Sequence, residues 1–204
     1  MNMPHRPTAK LRQQGNLHII VPLLFVVLFA IVGVWLLVYT HAATPTCGGD
    51  SGKSGQRVAS EAERQLCIWN GGRDAYGQSI SHRTQLSWIT DGNVGESWCA
   101  DFVSYVYKNV GRPFGSSSKY GTRNGWDWPS AVSLEHLPGF TYHTVSSGYK
   151  PKVGDIAEFN FPGGHVEIVV ATNPLTFVYG NTSSGGMAKD NFTGGDVLGY
   201  VTPN

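Results

Sequence analysis

Residues 98–107 read WCADFVSYVY, and the order of apolar and polar side chains in this stretch predicts an amphipathic helix. Apolar residues recur at helical spacing from the cysteine onward: Cys99, Phe102, Val103, Val106, Tyr107 and Val110. Ser97 is a favourable N-cap and Gly111 a favourable stop, so the helix is expected to begin at about Cys99 and to end before Gly111. The cysteine then lies in the first turn, on the face that points to the core.

Cys99 admits two interpretations. Free cysteine is among the most buried residue types, so a small apolar residue of the core is the ordinary one. In the first turn of a helix, however, unpaired backbone N–H groups and the positive end of the helix dipole favour the thiolate, which is the reactive form. The same N–H groups can stabilise an oxyanion on a substrate carbonyl. A nucleophilic cysteine would also need a base nearby.

His165 is the candidate base among the seven histidines. It opens the predicted strand GHVEIVVAT directly after Gly163 and Gly164, where the chain can turn sharply and a rigid strand can aim the ring. The base needs an orienting partner. If the next predicted strand, LTFVYGNTS, pairs with the first through the turn TNPL, Asn181 returns to the neighbourhood of His165. Glu167 ranks second, because side chains two positions apart on a strand point in parallel.

The rest of the pattern predicts an α+β domain. The segment 56–71, QRVASEAERQLCIWNG, is typical of a helix, and the segment 71–96 is predicted to be loop. After Lys152 come four short β-branched and aromatic runs that predict antiparallel strands: VGDIAEFNF, GHVEIVVAT, LTFVYGNT and VLGYVT. Helices first and strands later favour an α+β fold. Glu158, in the first of these runs, is interpreted as a surface carboxylate.

The N-terminal part carries a long apolar segment. Ile19–Tyr39 contains no charged residue and is long enough to cross a bilayer core of about 30 Å. Arg6, Lys10 and Arg12 precede it, a bias that keeps the N-terminus in the cytoplasm. A cleaved signal peptide is the alternative, with cleavage near Ala42, but its apolar core usually spans only about 7–15 residues. The length therefore favours an uncleaved single-pass anchor.

The predicted organisation has four parts: a cytoplasmic N-terminus (1–18), a transmembrane signal anchor (19–39), a flexible linker (40–55) and a folded extracytoplasmic domain (56–204). Gly, Ser, Thr and Pro dominate the linker. All fourteen acidic residues and twelve of the fifteen Lys and Arg follow the anchor, a net charge of −2 there. With no basic stripe, nucleic acid is not expected as a partner. No Cys or His spacing predicts a metal site, and no cofactor is expected.

The block WCADFVSYVY, followed by GDIAEF, GGHVEIVV and VYGNTSSG, resembles the CHAP domain (cysteine, histidine-dependent amidohydrolase/peptidase), a relative of the NlpC/P60 and papain-like folds. The likeness covers about residues 56–201. It implies a papain-like α+β fold in which Cys99 is the nucleophile, His165 the general base and Asn181 the polar third member. Many family members carry an acidic residue shortly before the GN of the last block. The sequence here has no carboxylate at that place, so Glu167 is a possible orienting residue.

The resemblance also gives a meaning to several aromatic residues. The segment YGTRNGWDWPSAV is similar to the family segment that lines the cleft near the cysteine. Tyr120, Trp126 and Trp128, together with Trp98 beside the thiol, are expected to hold the substrate. The alternative is that they are ordinary core aromatics, since buried Trp is common. Asp101 is expected to serve the helix dipole of the first turn.

The two other cysteines are Cys47, in the linker, and Cys67, late in the first helix. In an oxidising compartment they can pair, which would tie the linker to the domain and leave Cys99 as the free thiol.

The expected function is that of a membrane-anchored or secreted peptidoglycan hydrolase. It would cleave an amide of the stem peptide, or the amide that joins this peptide to the glycan, as an N-acetylmuramoyl-L-alanine amidase does. A weak or inactive peptidoglycan-binding module on the same fold is the main alternative. A sortase-like transpeptidase is disfavoured, because Cys99 precedes His165 and the strands after His165 carry no Arg. The sequence identifies no regulatory protein partner.

Overall fold

The computed structural model describes residues 47–48, 52–116, 120–128, 130–191 and 196–204, which belong to the unit Thr44–Asn204. Its helices are α1 (Ser54–Trp69), α2 (His82–Ile89) and α3 (Cys99–Asn109), followed by 3-10 segments at Ala131–His136 and Val145–Ser147. Its strands are β1 (Phe140–Thr144), β2 (Ile156–Phe159), β3 (His165–Thr172), β4 (Leu175–Gly180), β5 (Met187–Asn191) and β6 (Val197–Pro203). The fold is therefore α+β with an antiparallel sheet, as predicted.

The strands form one sheet in the order β1-β6-β2-β3-β4-β5, and every neighbouring pair is antiparallel. β3 and β4 are joined by the short turn predicted at TNPL, with Thr172 opposite Leu175 and Ile168 opposite Val178. Because side chains alternate between the two faces of a strand, this register decides which residues of β3 and β4 share a face.

Helices cover one face of the sheet. Ile156, Ile168 and Val201 lie in the main core cluster together with residues of α1 and α3. Their neighbours in sequence point to the opposite face and form a second, smaller cluster that contains Ala157, Phe159, Val169, Phe177 and Tyr200. α3 packs against β3, which begins with His165, and against β4, which Asn181 follows. The fold thus seats the cysteine-bearing helix directly on the strands of the other candidate residues.

The boundaries of α3 agree with the sequence pattern, but its N-cap differs from the prediction. The helix begins at Cys99 with Trp98 as the N-cap, and no side chain caps it. Ser97 therefore does not serve as the cap. At the other end, Gly111 adopts the left-handed conformation (φ +79°) just after the helix, where a glycine is favoured.

Sequence reasoning missed three elements. α2 lies within the segment predicted as loop, and it is capped by Ser81, whose Oγ accepts a hydrogen bond from Thr84 N–H at 3.2 Å. β1 and β5 are the two edge strands of the sheet. In β5 the last three residues are exposed, so the sequence shows no alternation of buried and exposed residues there.

Glu158 is a correction to the surface position predicted for it. Its relative exposure is only 6 %. Burial raises the pKa of Glu158, whereas a hydrogen bond with Tyr142 lowers it in part. Glu158 lies on β2 opposite Val166, the neighbour of His165.

Cys47 and Cys67 are joined by a disulfide, with their Cα atoms 5.7 Å apart. The bond ties the residue that leads into the domain to the last turns of α1. Cys99 is the free thiol of the described residues, and it is buried.

The predicted membrane anchor at residues 19–39 and the N-terminus before it lie outside the described residues. Within the described ranges, none of the helices combines the length and the apolar character that crossing a membrane requires.

Candidate active site

A cleft of about 600 Å³ opens where the first turn of α3 meets the start of β3 and the end of β4. It brings together four residues singled out from the sequence, namely Cys99, His165, Glu167 and Asn181. The other lining residues are small, hydroxyl-bearing or aromatic: Ser97, Ala100, Ser130, Ala131, Phe161, Pro162, Gly163, Gly164, Tyr179, Thr182 and Ser183.

Cys99 enters this cleft from the start of α3. The first backbone bond of the helix runs from Phe102 N–H to the carbonyl of Trp98 at 2.9 Å. The N–H groups of Cys99 and Ala100 come before this first donor, so they have no acceptor within the helix. Two donors beside the thiol, together with the positive end of the helix dipole, favour negative charge at this point.

The position of Cys99 depends on the contact between Trp98 and Gly180. Trp98 is buried, and a Cβ atom added to Gly180 would lie 2.2 Å from its ring. Only glycine leaves room for the indole at the end of β4. This close approach fixes the residue before the cysteine against the end of β4, which Asn181 follows directly.

His165 reaches the cleft because two glycines turn the chain before β3. Gly163 and Gly164 both adopt the left-handed conformation, with φ of +88° and +77°. A Cβ atom on Gly164 would also come within 2.5 Å of the side chain of Val132. The glycine pair thus supplies the sharp turn expected from the sequence, and β3 begins at His165.

The His165 ring contacts both Cys99 and Glu167. Its Nε2 lies 3.4 Å from Oε1 of Glu167, which leaves Nδ1 as the ring nitrogen available to the thiol. Burial lowers the pKa of His165, but hydrogen bonds with Cys99 and Glu167 and the charges of both groups outweigh it and raise this pKa to about 9. The imidazole is therefore protonated at neutral pH.

Glu167 takes the place behind the histidine that the sequence argument gave first to Asn181. Burial raises the pKa of Glu167, while the hydrogen bond and the charge of His165 oppose this shift. Asn181 lines the cleft just after β4, in the left-handed conformation (φ +62°), and no hydrogen bond joins it to His165 among the described residues. Glu167 was ranked second because side chains two positions apart on a strand point in parallel. It nevertheless reaches His165, because His165 is the first residue of its strand and the long Glu167 side chain spans the two-residue spacing.

The aromatic residues predicted to line the cleft lie elsewhere. Trp98, Trp126 and Trp128 have relative exposures of 3 %, 7 % and 0 %, and none of them is among the described residues that line the cleft. Tyr120 packs against Trp128 and stacks on His136, with ring centroids 5.8 and 5.2 Å apart. The prediction of substrate-binding walls is corrected, because these rings fill the core around α3.

Asp101 belongs to an ion-pair cluster that supports α3. Arg123 lies 2.5 Å from Glu96, 2.6 Å from Asp101 and 2.6 Å from Asp127. Burial and the neighbouring Asp127 raise the pKa of Asp101 to about 8, against the opposing charge of Arg123. Asp101 therefore lies in a buried cluster with Arg123 and Asp127, in addition to its place in the first turn of α3.

Sequence reasoning missed Phe161 and Tyr179. Both line the cleft, and both rings meet the His165 ring edge to face, at 5.8 and 5.4 Å. The only signal was positional: Phe161 precedes the Gly pair, and Tyr179 precedes the GN. In the described ranges, no group of three or more His, Cys, Asp or Glu side chains is placed to hold a metal ion.

The segment that carries this cleft was compared with known protein families, curated proteins and solved structures. The family model described as CHAP domain matches residues 90–181, the segment that contains Cys99, His165, Glu167 and Asn181. No curated protein and no solved structure shows significant similarity to the chain. The match confirms the resemblance seen in the sequence, and CHAP domains are associated with peptidoglycan hydrolase-type amidase or peptidase activity. Residues 90–181 of this chain are therefore similar to the CHAP domain.

Proposed function

We propose that this protein is a cell-wall hydrolase that cleaves an amide bond of peptidoglycan through Cys99 as nucleophile and His165 as acid and base. The observation that carries the proposal is the line of contacts from Cys99 through His165 to Glu167 inside one cleft. A nucleophile, a base and an orienting group in this order are what acyl transfer requires.

In the proposed reaction the thiolate of Cys99 attacks the carbonyl carbon of the amide. The tetrahedral oxyanion is stabilised by the N–H groups of Cys99 and Ala100 at the start of α3. His165 donates its proton to the leaving nitrogen, the C–N bond breaks, and an amine departs from a thioester. Water then attacks the thioester carbonyl while His165 accepts its proton. Collapse of this second intermediate releases the carboxylic acid product and restores the thiolate beside the imidazolium.

Glu167 is the proposed third member of the site. Its contact with Nε2 holds the imidazole and stabilises the charge that His165 carries before the amine leaves. Asn181 retains a role at the wall of the cleft, where its amide can bond a polar group of the substrate. A carboxylate behind His165 weakens the main sequence argument for an inactive binding module, which was the lack of an acidic residue before the GN.

The cleft favours a substrate segment without charge. Of the described lining residues, Cys99, His165 and Glu167 are the ones with an acid or base role in the proposed reaction, and His165, the cation of the three, contacts the other two. The other lining groups are Ser and Thr hydroxyls, an Asn amide, and small or aromatic apolar side chains. A buried substrate carboxylate would find no further cation among these residues, because the imidazolium of His165 is already engaged by Cys99 and Glu167, and the carboxylate would remain uncompensated. A neutral segment of this kind can be supplied by an amide of the stem peptide or by the amide that joins this peptide to the glycan, where the groups beside that amide are neutral.

The location proposed for this activity follows from the sequence. The apolar segment 19–39 would hold the chain in the cell membrane as a single-pass anchor, with the C-terminal domain outside. The short linker would then keep the cleft close to the inner layers of the wall.

Digestion of purified walls by the full-length chain tests the proposal, with mass spectrometry of the fragments to locate the cut. Cys99→Ser and His165→Ala are each expected to abolish the release of new amino termini. His136→Ala is the matched control, because this histidine is half exposed and lies outside the cleft lining, so full activity is expected. Undiminished digestion by Cys99→Ser would reject the assignment. Wall binding without any cleavage by the wild-type chain would favour the binding module.

Two synthetic substrates test the expected neutrality of the bound segment. They would differ only in one residue beside the scissile amide, which carries a carboxylate in one and a carboxamide in the other. The carboxamide substrate is expected to have the higher kcat/KM, and Thr182→Lys should narrow the difference by supplying a cation at the wall. Equal kcat/KM values for the two substrates would remove this part of the proposal.

A further inference from the structure

Three aromatic rings surround the imidazole of His165. The Phe159, Phe161 and Tyr179 centroids lie 6.3, 5.8 and 5.4 Å from that of the histidine. Tyr179 is the nearest, and its ring plane stands at 89° to the imidazole. An edge-to-face contact of this kind has a preferred geometry, so it resists rotation of the imidazole about its own axis.

Tyr179 is itself fixed from the next strand. Its hydroxyl donates a hydrogen bond to Oδ2 of Asp190 at 2.5 Å. The register pairs Tyr179 with Ala188 and Phe177 with Asp190, so Asp190 is the diagonal neighbour of Tyr179 on one face of the sheet. Burial and the hydrogen bond with Asp190 raise the pKa of Tyr179, which keeps its hydroxyl protonated and able to donate.

The same register brings Glu167 beside Tyr179. β3 and β4 pair Ile168 with Val178, and the next pair along the two strands is Glu167 and Tyr179. The charge of Glu167 acts on the Tyr179 hydroxyl, and the charge of Asp190 acts on Glu167. His165, Glu167, Tyr179 and Asp190 therefore form one continuous group across β3, β4 and β5.

We propose that Tyr179, locked by Asp190, is a positioning residue that holds the His165 imidazole in the plane needed between Cys99 and Glu167. This inference rests on the proposed role of His165 as acid and base. Tyr179 stands where the family resemblance leads one to expect a carboxylate, and the carboxylate is provided instead from the neighbouring strand by Glu167. The orienting task is thereby divided: Glu167 holds the ring nitrogen, and Tyr179 holds the ring plane.

The test compares Tyr179→Phe, Tyr179→Leu and Asp190→Asn in the full-length chain. Tyr179→Leu removes the ring and is expected to lower kcat about tenfold with little change in KM, because the imidazole is misplaced while the substrate still binds. Tyr179→Phe keeps the ring but removes the hydrogen bond to Asp190, and its kcat should fall less than that of Tyr179→Leu. Asp190→Asn retains an acceptor oxygen and is expected to stay close to the wild type, whereas Asp190→Ala should resemble Tyr179→Phe.

A second readout does not depend on turnover. The chain has three cysteines, and with Cys47 and Cys67 in a disulfide, alkylation by iodoacetamide reports on Cys99. A misplaced imidazolium stabilises the thiolate less well, so Tyr179→Leu should shift the pH profile of the alkylation rate to higher pH. This readout remains available in Tyr179→Phe and Asp190→Ala if Tyr179→Leu does not fold.

Tyr149→Phe is the matched control. Tyr149 also donates to an aspartate, Asp155, at 2.9 Å, and its ring also contacts a histidine, His143, with centroids 3.9 Å apart. This trio lies outside the cleft lining, so its loss is expected to lower stability without changing kcat or the alkylation profile.

The outcomes separate this inference from the function on which it rests. If the Tyr179 variants had the same kcat and the same alkylation profile as Tyr149→Phe, the positioning role would be overturned. This holds even if Cys99→Ser is inactive. Full activity in Cys99→Ser and His165→Ala would instead overturn the proposed function. The shift of the alkylation profile in Tyr179→Leu would still report whether Tyr179 positions the imidazole.

Discussion

Oε1 of Glu167 lies 3.4 Å from Nε2 of His165, although only one residue separates the two along β3. The carboxylate that is proposed to orient the histidine therefore comes from the same strand and not from the strand that follows it. This arrangement places both groups on one short rigid element, whose register with β4 is fixed by the packing of Ile168 against Val178. It also makes the charge of His165 depend on Glu167.

The first prediction concerns the alkaline limit of activity. The pKa of His165 is raised to about 9, so its proton is present at neutral pH and is lost as the pH rises through about 9. Because the leaving amine needs this proton, kcat/KM should fall on the alkaline side near pH 9. Glu167→Gln removes one interaction that raises this pKa, and the alkaline fall should move to lower pH.

Glu158→Gln is the control for that experiment. Glu158 is a buried carboxylate on the adjacent strand, but its partner is Tyr142 and not the histidine. The alkaline fall of kcat/KM in Glu158→Gln should coincide with that of the wild type. An unchanged limb in Glu167→Gln would show that Glu167 does not set the charge of His165.

The second prediction concerns the contact between Gly180 and Trp98 that positions Cys99. Gly180→Ala would place a methyl group 2.2 Å from the Trp98 ring, so either the indole or the end of β4 must move. Because Trp98 is the N-cap of α3, the thiol moves with it, and activity on wall fragments should fall at least tenfold.

Gly95→Ala serves as the comparison, since a Cβ atom there meets nothing within 4 Å and its φ is not in the left-handed region. It should retain wild-type activity. If Gly180→Ala matched Gly95→Ala in activity and melting temperature, the close contact with Trp98 would have no part in placing Cys99.

The third prediction concerns the disulfide. Cys47 and Cys67 are twenty positions apart, and closing a loop of this length stabilises a domain by about 3 kcal/mol in the chain-entropy description. The double variant Cys47→Ser/Cys67→Ser should lose stability of this order in urea denaturation.

Reductant provides the internal check, because it should destabilise the wild-type chain and leave the double variant unchanged. Equal urea midpoints for the oxidised wild type and the double variant would contradict the expected contribution. Activity at low temperature should survive in the variant, since neither sulfur lines the cleft.

The fourth prediction concerns stability and pH at the Arg123 cluster. Burial and Asp127 raise the folded-state pKa of Asp101 to about 8, far above the ordinary value of an aspartate. A raised carboxyl pKa contributes stability at low pH, and this contribution declines as the pH rises from about 4 towards 8. Asp101→Asn should therefore make the melting temperature less dependent on pH over this range.

Glu135→Gln changes an exposed carboxylate and should leave the pH dependence as it is in the wild type. A melting curve of Asp101→Asn that falls with pH as steeply as that of the wild type would contradict the role assigned to the buried Asp101. Part of the fall is expected to remain, because the folded-state pKa values of His165 and Glu158 are also raised.

The sequence was sufficient for the parts of the fold that follow a strong period. α3 was predictable because its apolar residues recur every three to four positions and Gly111 follows it, and β3 because it is a β-branched run directly after Gly163 and Gly164. α2 was missed because it has only eight residues, and β5 because as an exposed edge strand it shows no clear alternation.

The candidate site was predictable only in part, for a physical reason. Cys99 and His165 are marked by helix-start and strand-start signals, which are local. The choice between Glu167 and Asn181 depends on where the ring of His165 points, and the rings of Phe161 and Tyr179 that contact it come from outside β3. Likewise, whether Trp126 and Trp128 line the cleft or pack around α3 depends on contacts between distant segments, which the sequence of one segment does not reveal.

The most direct test of the central claim is to trap the acyl-enzyme. The full-length wild-type chain would be quenched in acid during turnover of a wall peptide, digested and analysed by mass spectrometry. The account predicts that the peptide containing Cys99 gains the mass of the acyl part of the substrate, and that His165→Ala does not accumulate this adduct. Turnover with no adduct on Cys99, or an adduct on another residue, would contradict the account.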